Sequence, residues 1–274
     1  MPLLGSERLL AGRKKIGLAL GGGSARGFAH IGVLKVLEEA GISPEIVAGS
    51  SMGAVVGALY SAGVPLPVLE RLAAYSRRSL WTDWTFPRMG FLAGDRLEQL
   101  LLLLTRRKTF QELNRCFAAV ACDLCSGQRV VLRDGVVARA VRASAAIPGV
   151  FRPVEDEDKV LVDGSVVERV PAPTARALGA DMVIAVDVGL YLTNQKPQHL
   201  LDVISQSLDV LQRDLCRYTL VEADIIIRPQ LAEIAPGHFH RAAEAIRAGE
   251  EAARKELPHI REILCGKEHH AQVT

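Results

Sequence analysis

From Ile46 to Leu69 the chain carries no charged residue, and this stretch limits the choice of fold more than any other. It is long enough to cross a membrane. It also holds Gly49-Ser50-Ser51, Gly63, Pro65 and Pro67, which would break a spanning helix at several points. A buried strand, a sharp corner and a close-packed helix account for it better. The corner is Gly49-Ser50-Ser51-Met52-Gly53, where two hydroxyls and two glycines interrupt apolar sequence. Either Ser51 is displayed there as a nucleophile, or a tight turn simply needed small residues.

The rest of the chain alternates in the same way. "KIGLAL" (15–20) reads as a strand ending at "GGGSARG", and "FAHIGVLKVLEEAG" reads as a helix. Val33, Val36, Leu37 and Ala40 share a face at helical spacing, and Gly41 is the stop signal. "EIVAG" is the second strand. Helical segments are expected at 66–76 and 95–105, with strands near 116–123 and 129–133. "GVVARAVRASAAI" reads as a helix ended by Pro148, "KVLVDG" as a strand running into a turn, and "APTARALGA" as a short helix before the strand "ADMVIAVDV". Residues 198–222 read as helix, "ADIIIRP" as a last strand and 239–257 as a closing helix. This alternation predicts an α/β fold, a three-layer α/β/α sandwich around a mostly parallel central sheet. One domain is expected over 14–258, with 1–13 and 259–274 as tails.

With 274 residues, 49% of them apolar, the chain can bury a substantial core. A formal charge of +2 and 5% aromatic residues argue against nucleic-acid binding. Five cysteines, an odd number, suggest a reducing compartment. Cys122 and Cys125 form a CxxC, but "FAAVACDLCSGQRVVL" reads as strand, turn, strand rather than as a strand feeding a redox helix. The N-terminus is interrupted by Glu7 and Arg8 and makes a poor signal peptide. A soluble, cytoplasmic protein with at most peripheral membrane contact is expected.

G-x-S-x-G between strand and helix forces its serine into a strained turn that projects Oγ above the sheet edge. Gly49, Gly53 and Gly57 also recur every four residues, which lets the helix lie close to its neighbour. A nucleophilic serine needs backbone N–H groups aimed at the developing oxyanion. "ALGGGSARGFAH" supplies a glycine loop at a helix start for that purpose. The rival is a nucleotide-binding loop. Counted from Gly22, however, the third position of G-x-G-x-x-G is Ser24; counted from Gly21, the sixth is Arg26. No acidic residue ends the second strand, and no Lys-Ser or Lys-Thr follows to make a P-loop.

The base has two sources. Asp163 ends the apolar strand "KVLVD" and precedes Gly164, at the kind of strand end where open α/β sheets build sites; an Asp-Gly turn explains it equally. His238 and His240 precede the last helix and could complete a Ser-Asp-His order. Their spacing invites a metal reading, but no matching acidic or cysteine partner lies nearby in the sequence.

Together, "GGGSARGFAHIGVL", "GSSMG", "RASAAIPGVFRPV" and "VDGSVVERVP" resemble the patatin-like phospholipases, a family related to neuropathy-target esterase catalytic domains. The similarity covers roughly residues 14–230, with every block in order. It implies a Ser-Asp dyad without histidine, cofactor or metal. Ser51 matches the nucleophile and Asp163 the base. Gly22, Gly23 and Ser24 match the oxyanion loop, Arg26 its orienting basic residue, and Gly49 and Gly53 the elbow. Ser24 stands where the family often has glycine, and Ser165 follows Asp-Gly where glycine or alanine is usual. The implied substrates are fatty acyl esters of phospholipids or lysophospholipids. A triad esterase and a non-catalytic binding protein of the same fold are the competing readings. The stretch 79–94, with Trp81, Trp84, Phe86, Met89 and Phe91, is either a lipid-contacting belt or a satellite core under a loop.

Overall fold

The computed structural model describes residues 14–76, 83–86, 89–189, 196–197 and 200–265. Trp81 and both expected tails, apart from 259–265, lie outside the described residues. The strands are β1 (Ile16–Leu20), β2 (Ile46–Ser50), β3 (Gly90–Leu92), β4 (Cys116–Asp123), β5 (Arg129–Leu132), β6 (Gly149–Phe151), β7 (Val154–Asp156), β8 (Lys159–Asp163), β9 (Met182–Val186) and β10 (Ile225–Ile227). The α-helices are α1 (Ala29–Glu39), α2 (Met52–Ser61), α3 (Leu66–Ala74), α4 (Asp95–Leu104), α5 (Val137–Ser144), α6 (Ala172–Ala177), α7 (Leu200–Thr219) and α8 (Ala242–Leu264).

Among the described residues the main sheet runs β10-β9-β1-β2-β4-β8-β7, with β5 also paired to β4. The run from β10 to β4 is parallel; β8, β7 and β5 are antiparallel additions. The mostly parallel sheet of the sequence reading is therefore present, flanked by helices on both faces.

The strand sequences show why the two helical layers differ. In "IGLAL", "IVAGS" and "MVIAV" one face carries Leu18, Leu20, Val47, Ile184 and Val186, which join the larger core beneath α1, α2 and α8. The opposite face carries Ala19, Ala48, Val183 and Ala185, packed against Val170, Ala172 and Ala175 at α6. Small residues on that face let a short helix approach closely, and period-two alternation assigns the faces. Leu97, Leu101, Val137 and Val141 extend the larger core through α4 and α5.

Several boundaries differ from the sequence reading. α5 stops at Ser144, well before Pro148, because the Ala146 amide turns back to the Ala143 carbonyl and the chain bends into β6. The closing helix passes through Pro258 and ends at Leu264, beyond the expected 257. Ile260 on that extension is fully buried, so packing holds the last turns in place despite the proline. The small β3–β6 pair had no sequence signal, since each strand has three residues. Cys122 and Cys125 lie at the β4–β5 hairpin, where Asp123 accepts the Cys125 and Ser126 amides; both thiols are free. No helix among the described residues is long and apolar enough to cross a membrane.

Candidate active site

The register of the sheet explains how two residues distant in sequence come together. Ser50 at the end of β2 lies beside Val120 of β4, and the next β4 residue, Ala121, lies beside Asp163 of β8. Because β8 runs against β4, its C-terminal end meets the C-terminal end of β2 across one intervening strand. The two side chains meet over β4.

Ser51 is the first residue past the sheet and caps α2 with φ 53° and ψ −124°, a strained conformation for a residue with a Cβ. Its carbonyl accepts the Ala54 and Val55 amides at 2.9 and 3.1 Å, and its own amide donates to Ser144 Oγ at 3.1 Å. The Ser144 hydroxyl in turn donates to the Val120 carbonyl at 2.6 Å. The corner is thus pinned to both its helix and the central strand. The neighbouring hydroxyl has a different use: Ser50 Oγ is fully buried and donates to the Glu168 carbonyl at 2.7 Å. Of the two hydroxyls at the corner, Ser50 ties the sheet to the 164–171 segment and Ser51 faces the pocket.

Both elbow glycines are required by close approach. A Cβ on Gly53 would strike the Leu20 carbonyl, and one on Gly49 would lie about 2.5 Å from Ala54 Cα. Gly22 faces Ser51 itself, where a Cβ would meet Ser165 Oγ and come 3.2 Å from Ser51 Cβ.

Asp163 is buried at 4% exposure, and burial pushes its carboxyl pKa up. The neighbouring Ser51 hydroxyl, the Ser165 amide, which donates to the carboxylate at 2.8 Å, and the Arg169 charge oppose that rise without cancelling it. The result is a carboxylate in the same pocket as Ser51 that holds a proton more readily than a solvated aspartate does.

The glycine loop lies against this pair at the C-terminal end of β1, where the sheet order reverses between β2 and β9. One part of the sequence expectation needs correcting. Gly22 lines the pocket, but its amide donates to the Arg169 carbonyl at 3.0 Å and so serves to anchor the loop. The Gly23 and Ser24 amides donate to no backbone carbonyl among the described residues, and both residues line the pocket. Ser24 has φ 48°, a left-handed conformation that glycine adopts without cost. Arg26, 2% exposed, donates from Nε to the Ile234 carbonyl at 2.7 Å and from its other end to the Gly189 carbonyl at 3.3 Å. It ties the loop to two other segments, which fits an orienting role.

The histidines lie apart. Neither His238 nor His240 lines the Ser51 pocket; His238 accepts the Ala235 amide through Nδ1, and the two rings lie against each other. His30 is buried beneath the loop, with Nε2 2.7 Å from the Gly21 carbonyl, and its pKa is lowered to about 4 by desolvation. A neutral ring donating from Nε2 braces the loop from below.

Sequence reasoning missed Ser144, Arg169, Asp209 and Gln212, the last three of which line the pocket. Arg169 and Ser144 were inside motifs already singled out, but only the tertiary fold turns them toward the corner. Asp209 and Gln212 come from α7, and the pocket-facing side of that helix had no distinguishing local signal.

A family model described as patatin-like phospholipase matches residues 18–176, more than half of the chain. A lysophospholipase from Emericella nidulans is 34% identical over 212 residues, covering 75% of this chain and 14% of its own length. Mouse patatin-like phospholipase domain-containing protein 6 is 35% identical over 190 residues, covering 66% of this chain and again 14% of its own length. The chain therefore spans about one seventh of the curated relatives it matches. Among solved structures, VipD from Legionella pneumophila superposes with a TM-score of 0.66 at 12% identity, covering 90% of this chain and 67% of VipD. The type III effector protein ExoU superposes at 0.52 and 14% identity, covering 90% of this chain and 53% of ExoU. On the family match and on the identity to these relatives, the chain belongs to the patatin-like phospholipase family.

Proposed function

We propose that this protein is a serine acyl hydrolase that cleaves fatty acyl esters of phospholipids or lysophospholipids, with Ser51 and Asp163 as its catalytic dyad. The observation that carries the reading is a buried Asp163 carboxyl sharing one pocket with Ser51, whose hydroxyl, held at a strained corner, works against the rise in that carboxyl's pKa. The names of the relatives, a lysophospholipase in Emericella nidulans and a patatin-like phospholipase domain-containing protein in mouse, support the substrate class.

In the first half-reaction Ser51 Oγ attacks the ester carbonyl carbon while its proton passes to Asp163. The carbonyl oxygen becomes an oxyanion held by the Gly23 and Ser24 amides, each such donor being worth about 3 kcal/mol. Collapse of the tetrahedral intermediate breaks the ester C–O bond, and Asp163 returns the proton to the departing alkoxide. In the second half-reaction Asp163 takes a proton from water as hydroxide attacks the acyl-serine; collapse of that intermediate breaks the acyl–Oγ bond and releases the fatty acid, and Asp163 returns the proton to Ser51 Oγ. A base with a raised pKa transfers protons more effectively near neutrality than an ordinary aspartate, which is what burial at the end of β8 provides. The dyad itself requires neither histidine nor metal.

A lipid substrate also suits the outer surface. Trp84 and Phe86 are 71% and 84% exposed, and Met89 is exposed beside them, so these residues favour the lipid-contacting reading of the 79–94 stretch.

Hydrolysis of a nitrophenyl ester and of a lysophospholipid tests the reading. Ser51→Ala and Asp163→Asn are expected to abolish turnover, and a His238→Ala/His240→Ala variant to retain it. Loss in the histidine variant with activity kept in Asp163→Asn would overturn the dyad.

A further inference from the structure

Arg169 is a buried cation that the proposed acyl transfer does not use. It is 4% exposed and lines the pocket with Ser51 and Asp163. Its terminal nitrogens reach the Gln212 side-chain oxygen and the Gly189 carbonyl, each at 2.9 Å. Its Nε is buried with no hydrogen-bond partner among the described residues. The nearest carboxylate, Asp209 on α7, is 3.6 Å away, longer than a hydrogen bond, and the Asp209 side chain is 28% exposed. A buried guanidinium with an unsatisfied donor is costly to keep unless another group completes it.

The proposed substrate indicates what that group is. Arg169 lines the same pocket as Ser51, and a phosphodiester carries the negative charge that a guanidinium binds. In a lysophospholipid only the glycerol unit separates the scissile ester from the phosphodiester, so a carbonyl at Ser51 brings the phosphate into this part of the pocket. Guanidinium is the side chain best shaped to bind phosphate oxygens in pairs.

We infer that Arg169 is the phosphate-recognition residue of the pocket, binding the phosphodiester of a glycerophospholipid headgroup, with Asp209 as its counterion when the pocket is empty. This rests on the proposed ester hydrolysis for its substrate class, but it can be tested without turnover.

The kinetic test compares 1-oleoyl lysophosphatidylcholine with 1-oleoylglycerol, which has the same acyl chain and no phosphate. Arg169→Gln is expected to lower the ratio of their kcat/KM values about tenfold to a hundredfold, mainly through KM, as loss of a charge-assisted hydrogen bond would. Arg169→Lys should restore part of the ratio, and Asp209→Asn should raise it. A ratio unchanged in Arg169→Gln, with both substrates falling together, would overturn the assignment and leave Arg169 a structural residue.

The binding test titrates glycerophosphocholine into the Ser51→Ala protein by calorimetry. Binding that disappears in Ser51→Ala/Arg169→Gln, with an unchanged melting temperature, supports the subsite even if no ester is turned over. Absence of binding to Ser51→Ala would overturn it. Inorganic phosphate binding as tightly as glycerophosphocholine would overturn the headgroup assignment in favour of a free-anion site.

Discussion

In the proposed mechanism Ser51 and Asp163 carry most of the chemistry, and each leads to a distinct prediction. Ser51→Ala should reduce kcat by at least about 10³-fold, as loss of a nucleophile does elsewhere. Asp163→Asn should reduce it comparably while stabilising the protein. The folded-state pKa of Asp163 lies above its unfolded value, so the charged form at neutral pH costs stability. That cost sets in as pH rises above the unfolded carboxylate pKa and is complete above the folded one. Asp163→Asn should therefore melt higher than the parent at pH 7, with the difference shrinking as acid protonates the parent; scanning calorimetry against pH reads this out. The same raised pKa should place the acid limb of the parent's kcat/KM profile above the ordinary carboxylate range. Ser24→Gly should relieve the φ 48° strain, stabilising by about 1 kcal/mol while retaining the amide at that position. Ser51 and Asp163 could be singled out as candidates in the sequence because Ser51 follows directly on an apolar strand and Asp163 ends one. Arg169 and Ser144 could not, because the sheet register and the turn after α5 decide what they touch.

At the scale of elements, α2 and α7 carry the arrangement. The glycine spacing in α2 marked it as a close-packed helix, and its start does press against β1: Gly53→Ala would drive a methyl into the Leu20 carbonyl. Such overpacking costs about 1–3 kcal/mol and shifts the corner, so both melting temperature and Ser51 reactivity should fall. α7 is two-sided. Leu208, Asp209 and Gln212 line the pocket, whereas Leu200, Val203, Val210, Leu211, Leu215 and Tyr218 are exposed along the other side. Residues three, four and seven apart share a helix face, so these exposed positions form one apolar stripe. Contact with a lipid surface through this stripe predicts that Leu211→Glu/Tyr218→Glu weakens co-sedimentation with phosphatidylcholine vesicles severalfold. Hydrolysis of a soluble nitrophenyl ester should change little. The amphipathic period of 198–222 was visible in the sequence, but which face would be covered was not, because that depends on the rest of the fold.

At the scale of the whole molecule, one sheet with unequal faces sets everything else. Bulky aliphatics on one side carry the deep core, alanines on the other admit α6, and the C-terminal strand ends are left to hold the loop, the corner and the carboxylate. The order of strands and helices was legible because the apolar runs were long and well separated. The three-residue strands and the continuation of α8 past Pro258 were not, since tertiary packing overrides so weak a local signal. His30 links this core to the site through the Gly21 carbonyl. Its pKa of about 4, below the unfolded value of 6.5, means that stability is lost as pH falls from about 6.5 to about 4. The loss is roughly 3 kcal/mol. A His30→Gln variant, which can still donate to Gly21, should show a flatter dependence of melting temperature on pH across that window. The most direct test of the central claim is intact-mass and peptide-mapped labelling by a fluorophosphonate. The dyad predicts a single adduct on Ser51, absent in Ser51→Ala and formed far more slowly in Asp163→Asn. An adduct on another residue, or labelling of Ser51 at the parent rate in Asp163→Asn, would contradict it.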